Sequence, residues 1–218
     1  MRKTESDQWI RIEQSTADQI DHLMESGYLQ LQNCQSAAAC QSWHKVWFMI
    51  LELLKRNPEV STEDLDDSFR GKQSISNWAR DYELELVHAA LQDPAFYQTC
   101  IEFCQGYLSR TKQPARLNNL NLRRAMAASY FRLGLPEKGD VCFSELTRLC
   151  PGWAWGWLGW AYQYSFYAKD PWHSLAKAES ILREGLLAVD PDGKKDIAAR
   201  LQAVLVDQGK RIEASLID

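Results

Sequence analysis

The sequence lacks the segments that would place a chain in or across a membrane. It contains no run of about 18 consecutive apolar residues, the length that a membrane-spanning helix needs. Arg2 and Lys3 are not followed by an apolar stretch, so we expect no secretory signal. These absences argue against a membrane or secreted protein, and we expect a cytoplasmic chain with no membrane partner.

An excess of positive charge is also missing. The 218 residues include 25 Lys and Arg against 29 Asp and Glu, which gives a formal net charge of −4. A chain with this balance has no general basic field that could concentrate a phosphate backbone. We therefore expect no nucleic-acid partner.

Patterns that carry enzyme chemistry are absent as well. The sequence has no glycine-rich phosphate loop, and none of its four His stands beside a Ser, Cys or Asp in a recognisable nucleophile arrangement. The six Cys form no Cys-x-x-Cys and lie mostly in apolar helical patterns, which is typical of reduced, buried thiols. We expect neither enzyme activity nor a cofactor.

Two groups of residues raise the question of a metal ion. Cys40 and His44 stand four residues apart with Cys34 nearby, but Cys40 falls on an apolar helix face and no fourth ligand is in sight. The acidic segment 62–67 lacks the glycine and the spacing of a calcium loop, so we interpret its carboxylates as a solvated face. Core packing explains the cysteines better, and we predict no metal site.

Helical periodicity runs along almost the whole chain, without a convincing two-residue alternation. Proline-containing dipeptides separate the helices, because the residue before proline is pushed out of the α region. Thr16 and Gln19 predict a capping box on the first helix. Residues 59–74 are acidic and weakly patterned, which predicts a long connection with one short helix at 62–69. The pattern predicts one domain over 1–218, with helical pairs at about 16–56, 77–110, 117–150 and 153–190 and a last helix at 194–210.

The C-terminal half repeats on itself with a spacing of 34 residues. Met126, Ala127 and Tyr130 find counterparts in Trp160, Ala161 and Tyr164. Residues 120–153 resemble a tetratricopeptide (TPR) repeat without a gap, and residues 154–190 resemble a second, within which the loop between the two helices is lengthened around 169–173. The residues that carry the first likeness are Ala127, Tyr130, Gly134, Gly139, Phe143, Leu146 and Pro151. This resemblance implies an all-α, right-handed stack of TPR-like helical hairpins, an α-α superhelix with a C-terminal capping helix, and a role in protein binding.

More narrowly, the chain is similar to uncharacterised bacterial helical-repeat proteins, through segments 23–28, 43–47, 77–78 and 154–160. Some members of that group end in a cysteine-rich, zinc-binding SEC-C tail. Residues 212–218 have no such tail, so the zinc site is not carried over. The pair at 77–110 fits the TPR pattern least, since Asp81 and Glu85 stand where large apolar residues are expected.

The helix predicted at 153–167 has two distinct faces when its residues are placed at about 100° intervals. The face that we expect to pack on neighbouring helices carries Trp157, Trp160, Ala161 and Tyr164. The second face carries Trp155, Leu158, Tyr162, Ser165 and Phe166. In TPR proteins the corresponding face of each first helix lines a concave groove. For the preceding unit the resemblance assigns to that groove Asn121, Arg124, Ala128, Phe131 and Arg132.

The groove inferred in this way combines aromatic walls with the guanidinium groups of Arg124 and Arg132. Aromatic side chains offer large contact areas, and Arg binds carboxylates through a paired fork. We expect it to bind a protein or peptide that has an apolar anchor and an acidic group or a free C-terminal carboxylate. Two alternatives remain, in which the chain's own N-terminal helices cover this face or a homodimer partner does. Gly156 and Gly159 predict the close approach of a neighbouring helix or, at Gly159, of a ligand.

Overall fold

The computed structural model describes residues 10–166, 170–210 and 214–217, and within them the fold is all-α, with ten helices and no strand. Predictions that fall on residues 1–9, 167–169, 211–213 and 218 lie outside the described residues. These include the missing secretory signal, the end of a helix at Tyr167, the start of the lengthened loop at Lys169 and residues 212, 213 and 218 of the tail. The helices are α1 Gln14–Gln32, α2 Ser36–Arg56, α3 Thr62–Ser68, α4 Ile75–Ala90, α5 Ala95–Leu108, α6 Leu117–Arg132, α7 Pro136–Leu149, α8 Ala154–Ser165, α9 Leu175–Ala188 and α10 Pro191–Asp207.

Proline sets several of these bounds, as the sequence predicts. Helices α7 and α10 both begin with proline in the first turn, where the missing backbone N–H breaks no helical hydrogen bond. Helix α10 begins about one turn earlier than the predicted Lys194. The reason is that Asp190 holds an extended conformation (ψ 157°) and Pro191 then opens the helix directly.

The capping box predicted at Thr16 and Gln19 is wrong. Helix α1 begins at Gln14, and its N-terminal cap is Glu13, which makes no side-chain capping hydrogen bond. Thr16 instead lies inside the first turn, where its backbone N–H donates to the Glu13 carbonyl at 3.0 Å. The capping pattern at Thr16 and Gln19 lies inside the helix, so it predicted a helix start that is too late.

The segment predicted as a weakly structured connection is held by specific contacts. Helix α3 opens with a capping box in which Ser61 and Asp64 exchange hydrogen bonds. The Thr62 N–H donates to the Arg110 carbonyl at 3.1 Å, and Glu63 accepts from the Thr111 hydroxyl and from the Lys112 N–H. The prediction of a solvated acidic face is therefore wrong for Glu63, which ties α3 to the segment after α5. Asp64 pairs with Lys112 of that segment but keeps 44% of its side chain exposed.

The chain forms two compact units, residues 1–122 and residues 123–218, and the boundary falls inside α6. In unit 1, α1 packs on α2, α2 on α4, and α4 on α3 and α5. Its centre is aromatic: Trp43, Trp78, Tyr82 and Phe103 are fully buried. The Trp43 ring lies directly against Gly27, and its indole N–H donates to the Met24 carbonyl at 3.0 Å. The glycine thus lets α1 and α2 approach closely.

Unit 2 contains the end of α6 and helices α7 to α10. Helix α8 is its central element, because it packs on α7, α9 and α10. Glycines again admit large rings: the Phe131 ring fills the space beside Gly139, and a Cβ on Gly185 would lie 2.8 Å from Trp157. Consecutive helices packed in pairs are compatible with a helical-repeat fold. The single domain over residues 1–218 stays a prediction.

None of the described helices combines the length and apolar character that crossing a membrane requires.

Candidate functional site

Helix α8 buries one face and exposes the other. Trp157, Ala161 and Tyr164 are buried, and Trp160 is half-buried. On the opposite side Trp155 is 55% exposed, and Phe166, directly after the helix, is 53% exposed. Two of the most apolar side-chain types are thus left in solvent on one helix face.

We call this face the α8 surface and define it by Trp155, Leu158, Tyr162 and Phe166. Leu158 and Tyr162 are half-buried. The Tyr162 and Phe166 rings are stacked, with their centroids 4.4 Å apart and their planes 16° apart. These are four of the five residues that the sequence placed on this face, the fifth being Ser165, and Tyr162 and Phe166 are in direct contact.

Asp140 of α7 fixes the rotation of α8 about its axis. Its carboxylate accepts from the Trp160 indole N–H at 2.5 Å and from the Tyr164 hydroxyl at 2.6 Å. Burial, with the adjacent Asp140 as a further cause, raises the pKa of Tyr164 above its usual value. Since both donors lie on the packed face, these bonds turn the α8 surface outward.

Arg124 of α6 borders the α8 surface on one side. A Cβ on Gly159 would lie 3.1 Å from Arg124 Cδ and 3.3 Å from the Phe143 ring, so glycine makes room for an arginine stem and a ring and not for a neighbouring backbone. The prediction of close helix approach is wrong at Gly156, where a Cβ would meet its nearest neighbour at an ordinary 3.5 Å. The Nε of Arg124 is buried without a hydrogen-bond partner among the described residues.

Arg132 lies on the same side but is already engaged. Its Nη2 donates to Asp170 Oδ2 at 3.1 Å and to Gln163 Oε1 at 3.3 Å. The exposed fractions of the Arg132 and Asp170 side chains are 17% and 23%. This pair joins the end of α6 to the start of the segment before α9, so the guanidinium has a structural role in the described fold.

The sequence also assigned Phe131 and Asn121 to the groove. Phe131 is fully buried and packs against Phe143, Tyr164 and Trp172, so it belongs to the core. The reason is helical: Phe131 follows the buried Ala127 by four residues and shares its face. Asn121 is half-buried in the part of α6 that belongs to unit 1.

Arg200 of α10 also lies beside α8, although no sequence motif of its own singles it out. Its Nη2 donates to the Ser165 hydroxyl at 2.7 Å, and its guanidinium carbon lies 5.8 Å from the centroid of the Tyr162 ring. A signal for it existed, because the buried Ala198 continues the series of buried small residues that begins with Ala127 and Ala161. Extending the repeat pattern into α10 would have placed Arg200 beside α8.

The arginines therefore flank the α8 surface from two directions. Arg124 reaches Gly159 from α6, while Arg200 reaches Ser165 and Tyr162 from α10. At about 100° per residue, Gly159 and Ser165 lie on opposite sides of Tyr162. The arrangement is an aromatic floor between two cationic side chains, which suits a ligand with both apolar and anionic groups.

Of the two cysteines considered as metal ligands, Cys40 lies in the core of unit 1, whereas Cys34 is exposed. Burial, followed by the neighbouring Glu85 and Cys100, raises the pKa of Cys40 to about 12, which disfavours the thiolate that binds metals. The His44 Nδ1 lies 3.0 Å from the Tyr82 hydroxyl. Among the residues that the structure describes, no three His, Cys, Asp or Glu are grouped as a metal site would require.

Comparison with protein-family models and with curated proteins gives no match to this sequence.

Proposed function

We propose that this chain is a protein-interaction module, built from TPR-like helical hairpins in a right-handed stack, that binds a peptide or a segment of a partner protein on the α8 surface. The observation that carries the proposal is the exposure of Trp155 and Phe166 on a helix whose opposite face is packed. The proposed role is binding without a catalytic step.

The energetics of exposed aromatic side chains support this role. A ring the size of tryptophan buries about 150–250 Å² when a partner covers it, and aromatic residues with arginine dominate the binding energy of many interfaces. The α8 surface places both types side by side, with Arg200 against Tyr162. Asp140 holds the helix in this orientation, which lowers the ordering cost that binding would otherwise carry.

A pull-down from the native lysate tests the proposal. The baits are the wild type, a double variant with Trp155→Ala and Phe166→Ala, and the control Phe48→Ala. Phe48 is a matched control because it is 56% exposed but lies in unit 1, on α2. We expect a partner that the wild type and Phe48→Ala both retain and the double variant loses. If all three baits retain the same partner equally, the α8 surface is not its binding site.

A structural, self-associating subunit is the second candidate, and a specific observation favours it. A surface groove in unit 2 of about 560 Å³ is lined mainly by apolar residues, and at its edge Leu187 is 87% exposed and Leu216 is 77% exposed. Light scattering separates the two candidates. A monomer whose α8 surface binds a partner supports the interaction module, whereas a dimer that Leu187→Glu converts to a monomer supports self-association.

A further inference from the structure

Arg200 carries a positive charge that the described part of the chain leaves without a counter-charge. Its contacts are the Ser165 hydroxyl, a neutral group, and the face of the Tyr162 ring. Its Nε is buried and has no hydrogen-bond partner among the described residues. No carboxylate of residues 10–166, 170–210 or 214–217 forms an ion pair with it.

The unsatisfied part of this half-buried side chain is its Nε–H. A guanidinium that loses water needs hydrogen-bond acceptors for its five N–H groups, and an unsatisfied one retains the cost of desolvation. The Tyr162 ring compensates for part of that cost through its negative face. A carboxylate would complete the site, because its two oxygens match the guanidinium fork.

Comparison with Arg132 shows what a completed site looks like in the same unit. Arg132 has the Asp170 carboxylate at 3.1 Å and the Gln163 amide oxygen at 3.3 Å. Arg200 has a similar degree of burial and the same neighbouring helix, but a hydroxyl stands where Arg132 has an anion. This difference separates Arg200 from Arg132. The Nε of Arg124 is also buried without a partner among the described residues, and Arg200 differs from Arg124 in its contact with the Tyr162 ring.

We propose that Arg200 is the anion-recognition residue of the α8 surface, and that the bound segment is a peptide with a carboxylate beside an apolar anchor. This inference rests on the proposed function and names its ligand class. The apolar anchor covers Trp155 and Phe166, while the carboxylate pairs with the guanidinium held on Tyr162. The carboxylate is that of an Asp or Glu side chain or of a peptide C-terminus. A phosphorylated segment fits less well, because phosphate recognition usually relies on a cluster of arginines.

The test uses a surface-displayed library of random dodecapeptides, since the natural partner need not be known. One half of the library presents free C-termini and the other half blocks them. The full-length wild type is used for selection alongside Arg200→Gln, Arg200→Lys, Lys195→Gln and Trp155→Ala. Lys195→Gln is the matched control, because it removes the same charge from an exposed position on the same helix. Circular dichroism and thermal melting establish that each variant is folded.

We expect wild-type selection to enrich peptides in which an Asp, a Glu or a free C-terminus stands within a few residues of an aromatic or aliphatic residue. Enrichment of the acid should be lost with Arg200→Gln, partly restored with Arg200→Lys and unchanged with Lys195→Gln. Enrichment of the apolar anchor should persist with Arg200→Gln and be lost with Trp155→Ala. The free C-terminal half distinguishes the two sources of the carboxylate.

One enriched peptide then gives a quantitative readout by fluorescence polarisation. We expect Arg200→Gln to weaken its binding at least about tenfold, and replacement of the peptide carboxylate by its amide to weaken wild-type binding to a similar extent. The amide peptide should bind the wild type and Arg200→Gln equally, since the two changes remove the same contact.

Three outcomes overturn the inference. If acidic peptides are still enriched with Arg200→Gln, or if their enrichment falls equally with Lys195→Gln, Arg200 is not the anion-recognition residue. Either result leaves the proposal of the α8 surface as a binding site intact. An apolar preference without acid enrichment in the wild type rejects the carboxylate. No enrichment with any bait rejects both the inference and the proposed function.

Discussion

At the scale of single residues, Asp140 is the side chain on which the orientation of α8 depends most. It accepts two hydrogen bonds, from Trp160 and from Tyr164, and bonds to a charged acceptor contribute more than neutral ones. We expect Asp140→Ala to lower the free energy of unfolding by about 2 kcal/mol. Urea denaturation measures this, with Glu145→Ala as a control at an exposed position of α7. An equal, small effect of both substitutions would mean that Asp140 does not hold the helix.

Two glycines of unit 2 should respond to alanine in opposite directions. At Gly139 a Cβ would overlap the buried Phe131 ring, so we expect Gly139→Ala to lower stability by about 2 kcal/mol. At Gly156 the nearest atoms stand 3.5 Å or more from a built Cβ, and alanine favours the helix. We expect Gly156→Ala to raise stability by about 0.5 kcal/mol. Thermal melting of both variants checks the pair, and a melting temperature that falls for Gly156→Ala would contradict this packing.

Residue-level prediction from the sequence succeeded where a single helix decides the answer. The division of α8 into two faces follows from about 100° per residue, and Trp155 and Phe166 are exposed as that division requires. Prediction from the sequence failed for Phe131, because this residue shares the buried face of α6 with Ala127. It also left out Arg200, whose role depends on the packing of α10 against α8.

At the scale of the elements, Glu179 joins α9 to the end of α10. Its carboxylate lies 2.8 Å from Lys210 Nζ and 2.8 Å from Arg183 Nε. The hydrogen bond from Lys210, followed by the one from Arg183, lowers the pKa of Glu179 to about 2. A carboxyl group with a lowered folded-state pKa stabilises the fold above its unfolded value near 4.5, and this contribution is lost as the pH falls toward 2.

We therefore expect Glu179→Gln to reduce the free energy of unfolding by about 1 kcal/mol at pH 7, a modest amount because Lys210 and Arg183 are partly exposed. The difference in the free energy of unfolding between Glu179→Gln and the wild type should shrink as the pH falls from 4.5 to 2. Denaturant titrations across this range measure it. Glu184→Gln, at an exposed position of the same helix, is the control. A constant difference at every pH would contradict the ion pair.

Element bounds were predictable where proline fixes them and less so elsewhere. Pro136 and Pro191 start helices because their fixed φ suits the first turn. The segment 59–74 was misjudged, since residues 110–112 hold it and a local pattern cannot reveal contacts so distant in sequence. Asp81 is a second example of a contact distant in sequence. It stands where the repeat pattern expects an apolar residue, and its carboxylate accepts a hydrogen bond from the Tyr28 hydroxyl at 2.8 Å.

At the scale of the whole molecule, the chain is all-α within its described residues and forms two compact units, each with an aromatic core. Unit 1 keeps its central rings buried, while unit 2 exposes Trp155 and Phe166. Both rings leave more than half of their surface in water, although Phe166 also stacks on Tyr162, and a partner that covers them would take that apolar surface out of water. The central claim is that the α8 surface is where a partner binds.

The indole N–H resonances of the nine tryptophans test this claim most directly, in a ¹⁵N-labelled protein titrated with the partner recovered by pull-down. The Trp155 signal, assigned with Trp155→Phe, should shift or broaden at substoichiometric partner, because this indole is 55% exposed on the proposed surface. The Trp78 signal, from the fully buried core of unit 1, should stay in place. A partner that binds while Trp155 remains unperturbed would contradict the account.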